Sequence, residues 1–317
     1  MSRVQEDDHL PLGGGAEFDA IRAMLAEWGH RAAGIGDDAA VLDVPAGERL
    51  VVSTDASVEG FHFRREWLSA EEIGARAAAA ALSDLAAMAA TPLGLLLALG
   101  VPSSWESELT EIARGVGASA ERAGCAIVGG NISRSTELSL TITVLGSAVA
   151  PLHRRGARVG DVLYVTGRLG GPGSALRALL DGRVPDAAHM VRFVAPVPRL
   201  REARWLAEHG ATAGIDVSDG LLADVGHLAL ASGVTVELDA DRVPRMAGIS
   251  ATDAIASGEE YELVIVAARD VEIRPTEFEA RFGVSLTEIG VVKQQGDEPI
   301  HLRGASVRQA RGHDQLA

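Results

Sequence analysis

Apolar residues recur at helical spacing over 17–28 (Phe18, Ile21, Met24, Leu25, Trp28), which predicts a first helix. RLVVST at 49–54 reads as a buried strand that runs straight into Asp55. Ser69 with Glu72 forms a capping-box signature and opens a helix predicted to continue to about residue 90, where Thr91-Pro92 stops it. The strand-like run LGLLLALGV at 93–101 precedes a helix over 106–124. Strands follow at 125–128 and 138–149, the second alternating through Leu138, Leu140, Ile142 and Val144. The stretch APLHRRGARVG at 150–160 is rich in arginine, glycine and proline and marks a domain boundary. Beyond it the pattern predicts a strand at 161–166, the loop GRLGGPG and the helix SALRALL. A helix near 200–209, a strand at 215–217 and a helix over 221–232 come next, then strands at 234–238 and 261–267. Helices and strands mixed in both halves predict an α/β (α+β) fold of two mixed α/β domains, 16–150 and 151–317, after a flexible leader at 1–15.

Composition narrows this picture. A length of 317 residues suits two domains. Hydrophobic residues make up 47% but aromatics only 4%, and much of the apolar share is alanine, so the cores should be lean and closely packed. The net charge of −15 argues against a surface that tracks nucleic-acid phosphates. The longest apolar run, 93–101, is about half of the roughly 18–20 residues a membrane helix needs, so no membrane association is expected. Cys125 is the only cysteine, which excludes an intrachain disulfide, and the acidic, glycine-rich start is unlike a signal peptide. A cytoplasmic location is the expectation. Lys293 is the only lysine, and it lies in no G-x-x-x-x-G-K-[ST] loop, so any handling of ATP must use another architecture.

Several acidic or polar clusters carry the candidate chemistry: Gly36-Asp37-Asp38, Ser53-Thr54-Asp55, Ser83-Asp84, Asp216-Val217-Ser218-Asp219 and Ser257-Gly258-Glu259-Glu260-Tyr261. Oxygen-only ligand sets at strand ends and helix starts suit a hard cation such as Mg²⁺ together with phosphate. Singly, an Asp-Asp pair after glycine reads equally as a turn. Asp84 is harder to explain as a surface residue. Its helical neighbours Ala80, Ala81, Ala87 and Met88 cannot neutralise it, so either it faces solvent or something non-local, such as a metal, pairs with it. The 167–173 loop is a weak phosphate cradle or simply a turn. His62, between two phenylalanines, is structural or touches an anionic substrate. Cys125 sits in the apolar stretch CAIV, a poor setting for a nucleophile.

Taken in order, GIGDDAAVL, VVSTDASVEGFHF, ALSDLAAMAATP, RRGARVGD, IDVSDGLLADVGHLA and SGEEYELV resemble the thiamine-monophosphate kinase family, within the aminoimidazole ribonucleotide synthetase-like superfamily. The resemblance implies transfer of the γ-phosphoryl of ATP to thiamine monophosphate with several Mg²⁺ ions. It also implies a homodimer paired through N-terminal domains that bind ATP and metal, with the C-terminal domain completing the active site. By motif match it implies metal ligands at Asp38, Ser53, Thr54, Asp55, Asp84, Asn131, Asp216 and Asp219, with Asp38, Asp55, Asp84 and Asp216 central to catalysis. Gly130, Asn131, Arg154 and Ser218 would meet ATP, while His62, Glu259 and His313 would face the thiamine phosphate. Two positions depart from the family pattern. Asn131 stands where the family has an aspartate, which removes a charge and implies weaker metal binding there. His313 stands where the family tends to place an aromatic ring. Other branches fit less well: the chain lacks the N-terminal cysteine and lysine of selenophosphate synthetases and the C-terminal cysteine of hydrogenase-maturation proteins. Aminoimidazole ribonucleotide synthetase itself, or a nucleotide-binding regulator without turnover, remains an alternative on the same fold.

Overall fold

The computed structural model describes His9, residues 12–271 and residues 273–304. The chain divides into two compact units, residues 1–85 with 90–150, and residues 86–89 with 151–317.

The first unit holds helix α1 (Ala16–Trp28), strand β1 (Arg49–Val58), helix α2 (Ala70–Ala87, whose last residues belong to the second unit), β2 (Thr91–Val101), α3 (Leu109–Ala123), β3 (Ala126–Arg134) and β4 (Ser139–Ala148). Its four-stranded sheet has the order β1-β4-β2-β3, antiparallel except for the β2–β3 pair. The capping box forms as the sequence predicts: Ser69 Oγ accepts the Glu72 N–H, and Glu72 Oε2 accepts the Ser69 N–H at 2.8 Å. The alanine-rich composition has a structural counterpart in how α2 meets α3. A Cβ on Gly115 would lie 1.9 Å from the Glu71 carbonyl oxygen, and one on Gly74 would lie 2.2 Å from that of Ile112. Backbone meets backbone there, and only glycine permits it.

The second unit holds β5 (Val162–Thr166), α4 (Gly171–Leu180), α5 (Ala187–Val194), α6 (Leu200–Glu208), β6 (Ala211–Asp216), α7 (Leu221–Ser232), β7 (Thr235–Asp239), α8 (Ala251–Ala256), β8 (Leu263–Ala267), α9 (Pro275–Phe282), β9 (Leu286–Lys293) and β10 (Ile300–Arg303). Six strands form one sheet in the order β10-β7-β9-β5-β8-β6, with β10–β7 parallel and the others antiparallel. Leu163, Val165, Ile215, Val225, Leu228, Val264 and Val266 lie in its core.

Differences from the pattern-based expectations are local. Strand β1 continues through Asp55 to Val58, because ten consecutive residues pair with β4. Strand β3 runs past the predicted end at 128 through Gly129, Gly130 and Asn131 to Arg134, and Gly130 must be glycine since a Cβ would sit 1.9 Å from the Leu97 carbonyl oxygen. Strand β8 starts at Leu263 rather than 261, because Glu259 (φ 58°) and Tyr261 (φ 52°) adopt left-handed backbone. α5, α8, α9, β9 and β10 were not foreseen, each being short and flanked by charged or proline-containing sequence.

Candidate active site

In the first unit, strand alternation decides which groups meet. Ser53 and Asp55 point to the face of the sheet that α2 covers, and Ser53 Oγ donates to Asp84 Oδ2 at 2.5 Å. Asp84 therefore has a non-local partner, one of the two outcomes its apolar helical neighbours left open. It is half-buried, which leaves it short of both extremes foreseen for it. Thr54 projects to the other face, where its hydroxyl lies 3.0 Å from that of Thr143. At the Ser53–Asp84 cluster Thr54 has only its backbone to offer. Asp38 lies in the irregular segment ahead of β1, exposed, its N–H bonded to the Asp37 carboxylate at 2.9 Å.

Gly130 and Asn131 are not brought to this cluster within the chain. Asp55 lies in register with Ile142, Leu97 and Gly130, a row crossing the whole sheet, which amounts to roughly 14 Å at the ~4.8 Å spacing of strands. Asn131 falls in the next row, with Ala98, Thr141 and Ala56, and so on the open face opposite to Asp55.

His62 follows β1 in a tight turn closed by Gly60 N–H to Phe63 O at 2.8 Å. Its Nδ1 accepts the Val58 N–H at 3.2 Å, so the neutral ring carries its proton on Nε2 and presents a donor there. Phe63 is buried, whereas Phe61 is exposed. Cys125 is buried, and burial pushes its thiol up to about 12, which removes it as a nucleophile.

In the second unit, β6 ends at Asp216 and the loop to α7 carries Ser218 and Asp219. The buried carboxylate of Asp224, one turn into α7, shapes that loop. Its Oδ2 accepts the N–H groups of Ser218 (3.0 Å), Asp219 (3.2 Å) and Gly220 (3.1 Å). These bonds favour the ionised form, yet Asp224 is pushed up to about 8, first by burial and then by the charges of Asp216 and Asp219. Crowded carboxylates of this kind are what a divalent cation relieves, so the oxygen-only donor set fits magnesium. Asp219, Asp224 and His227 also bring ligand atoms within 4.8 Å of one another.

Arg154 is tied to the edge of the same sheet. His153 O accepts the Gly214 N–H at 3.1 Å, and Arg154 O accepts the Ser232 hydroxyl at 3.0 Å, which leaves the guanidinium exposed. Glu259 is brought beside the acidic loop by backbone bonding, its N–H reaching Ser218 O at 2.7 Å. His313 lies outside the described residues.

Behind this loop lies a buried charge network. Glu262 accepts from Arg199 Nη2 (2.6 Å) and Nε (2.8 Å), Arg192 Nη2 (2.8 Å) and Thr166 Oγ1 (2.7 Å). Burial alone would raise its carboxyl, but the bonds and charges of Arg199 and Arg192 hold it below the usual range. Glu260 is pushed up to about 7, burial being the largest cause. Its Oε1 accepts the Gly170 N–H at 2.5 Å, so a carboxylate of the chain itself takes one of the donors that the 167–173 loop offers. Asp224, Arg192 and Arg199 were absent from the candidate set. Nothing in single-residue chemistry marks them; what does is their burial, which the sequence pattern does not report.

Two family models match the chain, the N-terminal domain of AIR synthase related proteins over residues 36–148 and the C-terminal domain over residues 158–302. A thiamine-monophosphate kinase of Synechococcus elongatus is 38% identical over 261 residues, covering 74% of this chain and 77% of that protein. Among solved structures, thiamine-monophosphate kinase from Stenotrophomonas maltophilia superposes with a TM-score of 0.81 at 34% identity, covering 91% of this chain and 97% of the other. AaThiL complexed with AMPPCP and TMP gives a TM-score of 0.74 at 29% identity, covering 93% and 94%. The chain belongs to the thiamine-monophosphate kinase family, built from the two AIR-synthase-related domains.

Proposed function

We propose that this chain, as a kinase of that family, phosphorylates thiamine monophosphate to thiamine diphosphate at the expense of ATP, by direct in-line transfer assisted by magnesium. The observation that carries this reading is the concentration of oxygen ligands at the family's motif positions: Ser53, Asp55 and Asp84 in the first unit, and Asp216, Ser218 and Asp219 in the second. When bound, magnesium supplies charge neutralisation between two anionic phosphates.

The chain's own groups supply the rest. The acceptor is a phosphate oxygen whose second pKa is about 6, so it arrives largely ionised and no general base is needed. The Nε2–H of His62 is a donor suited to that phosphate, and the exposed guanidinium of Arg154 suits the ATP phosphates. Ser218 adds a hydroxyl held by the Asp224-bonded loop, and Glu259 is read as facing the thiamine phosphate. Asp38 is read as a further magnesium ligand, and Thr54 as one through its backbone. Asn131 offers a carbonyl oxygen without a charge.

A homodimer is part of the same reading. The open face of the first unit's sheet exposes Leu50, Val52, Thr54 and Ala56 of β1, and that edge strand pairs only with β4 among the described residues. A second copy covering that face would also bring another Asn131 and Gly130 to the assembly.

The test is direct. The purified protein is incubated with ATP, Mg²⁺ and thiamine monophosphate, and thiamine diphosphate is expected with ADP in equal amount. No product at any Mg²⁺ concentration would sink the assignment and favour a binder without turnover.

A further inference from the structure

Two residues without glycine's freedom, Glu259 (φ 58°) and Tyr261 (φ 52°), take left-handed backbone on either side of Glu260. Each such residue is strained and persists only where its surroundings dictate it. Part of the restraint is backbone. The N–H of Glu260 reaches Val217 O at 3.1 Å, that of Tyr261 reaches the same oxygen at 2.9 Å, and Val217 N–H returns a bond to Glu262 O at 2.8 Å. Gly258 is pressed so closely that a Cβ there would lie 2.7 Å from Ser218 O.

The remaining restraint is the Glu260 side chain, which turns inward and is 1% exposed. Oε1 accepts the Ser257 hydroxyl at 2.5 Å and the Gly170 N–H at 2.5 Å, and Ser257 Oγ in turn accepts the Gly173 N–H at 3.0 Å. Oε2 has no hydrogen-bond partner among the described residues, and Arg192 Nη2 stands 4.0 Å from it while bonding the Glu260 carbonyl at 3.1 Å. A buried acceptor left unpaired is an energetic cost, and it is tolerated here on a turn that is itself strained. Stability alone does not account for a carboxyl group in that place.

We infer that Glu260 is a positioning residue for the transfer: it locks the strained 257–262 turn to the glycine-rich loop and α4, and so fixes Glu259 against the Ser218 loop in the orientation that receives the substrate. This rests on the substrate-facing reading of Glu259 given above. A residue acting through Glu259 has a signature that a merely structural one lacks.

The experiment compares wild type with Glu259→Ala, Glu260→Ala, Glu260→Gln and the Glu259→Ala/Glu260→Ala double variant, measuring KM for each substrate, kcat and Tm. Glu260→Ala is expected to raise KM for thiamine monophosphate about tenfold and to leave KM for ATP within about twofold. Glu260→Gln, which keeps size and an acceptor oxygen, should recover most of that loss. The double variant should be no worse than Glu259→Ala alone, since coupled residues are non-additive. Additive losses, or equal effects on both substrates, would overturn the inference. Amide hydrogen exchange provides a readout independent of turnover, with faster exchange expected at 168–173 and 257–262 in Glu260→Ala. If wild type forms no thiamine diphosphate, the proposed function fails by itself. The exchange measurement then decides the anchor, and unchanged protection in Glu260→Ala would refute it.

Discussion

Asp84 shows what one carboxylate in an apolar helix can reveal. Its carboxylate accepts the Ser53 hydroxyl, and replacing it by asparagine keeps the shape and an acceptor for that hydroxyl. Asp84→Asn should therefore fold, with Tm within a few degrees of wild type, while losing about a hundredfold or more of magnesium-dependent kcat. Retained activity, measured at saturating Mg²⁺, would remove Asp84 from the metal-binding set. At this scale the sequence was informative where chemistry conflicted with surroundings, as at Asp84, whose hydroxyl partner comes from Ser53 on another element. The predicted strand over 49–54 already put Ser53 and Thr54 on opposite faces, but the sequence did not show which face α2 covers. It was also silent on Glu262 and its arginines, which lie far apart in the chain and become a network only through folding.

The elements themselves were legible where periodicity ran long. The capping box at Ser69 and the alternation of β4 both form as read. Short elements such as α8 and β10 have too few residues to establish a period, and tertiary pairing decides them. Glycines inside helices were visible in the sequence, but not their purpose. Gly115 sits against the Glu71 carbonyl so closely that Gly115→Ala must push α3 away from α2. A loss of about 2–4 kcal/mol in unfolding free energy is expected by denaturant titration, even though alanine is the better helix former by about 1 kcal/mol. A neutral or stabilising result would show that the two helices separate without cost.

For the whole molecule, division into two α/β units and membership of the family rest on motifs that span most of the chain. No described helix is long and apolar enough to cross a membrane. The assembly is a separate question, because an exposed apolar strand face implies a partner without naming one. Val52, half exposed on β1, gives the test. Wild type should sediment as a dimer at micromolar concentration, and Val52→Glu should shift it to monomer with its circular dichroism unchanged. A wild-type monomer would count against pairing through this face.

The glycine contact between α2 and α3 bears on motion as well as on stability. Helices whose backbones touch cannot slide past each other by a fraction of a turn, because carbonyl and Cα surfaces interlock like teeth and allow only whole steps. Asp84 rides on one of those helices. The contact therefore resists any slide of α2 along α3 that would carry the carboxylate with it, and adjustment to charge or to ligand is easier for loops and side chains than for that helix.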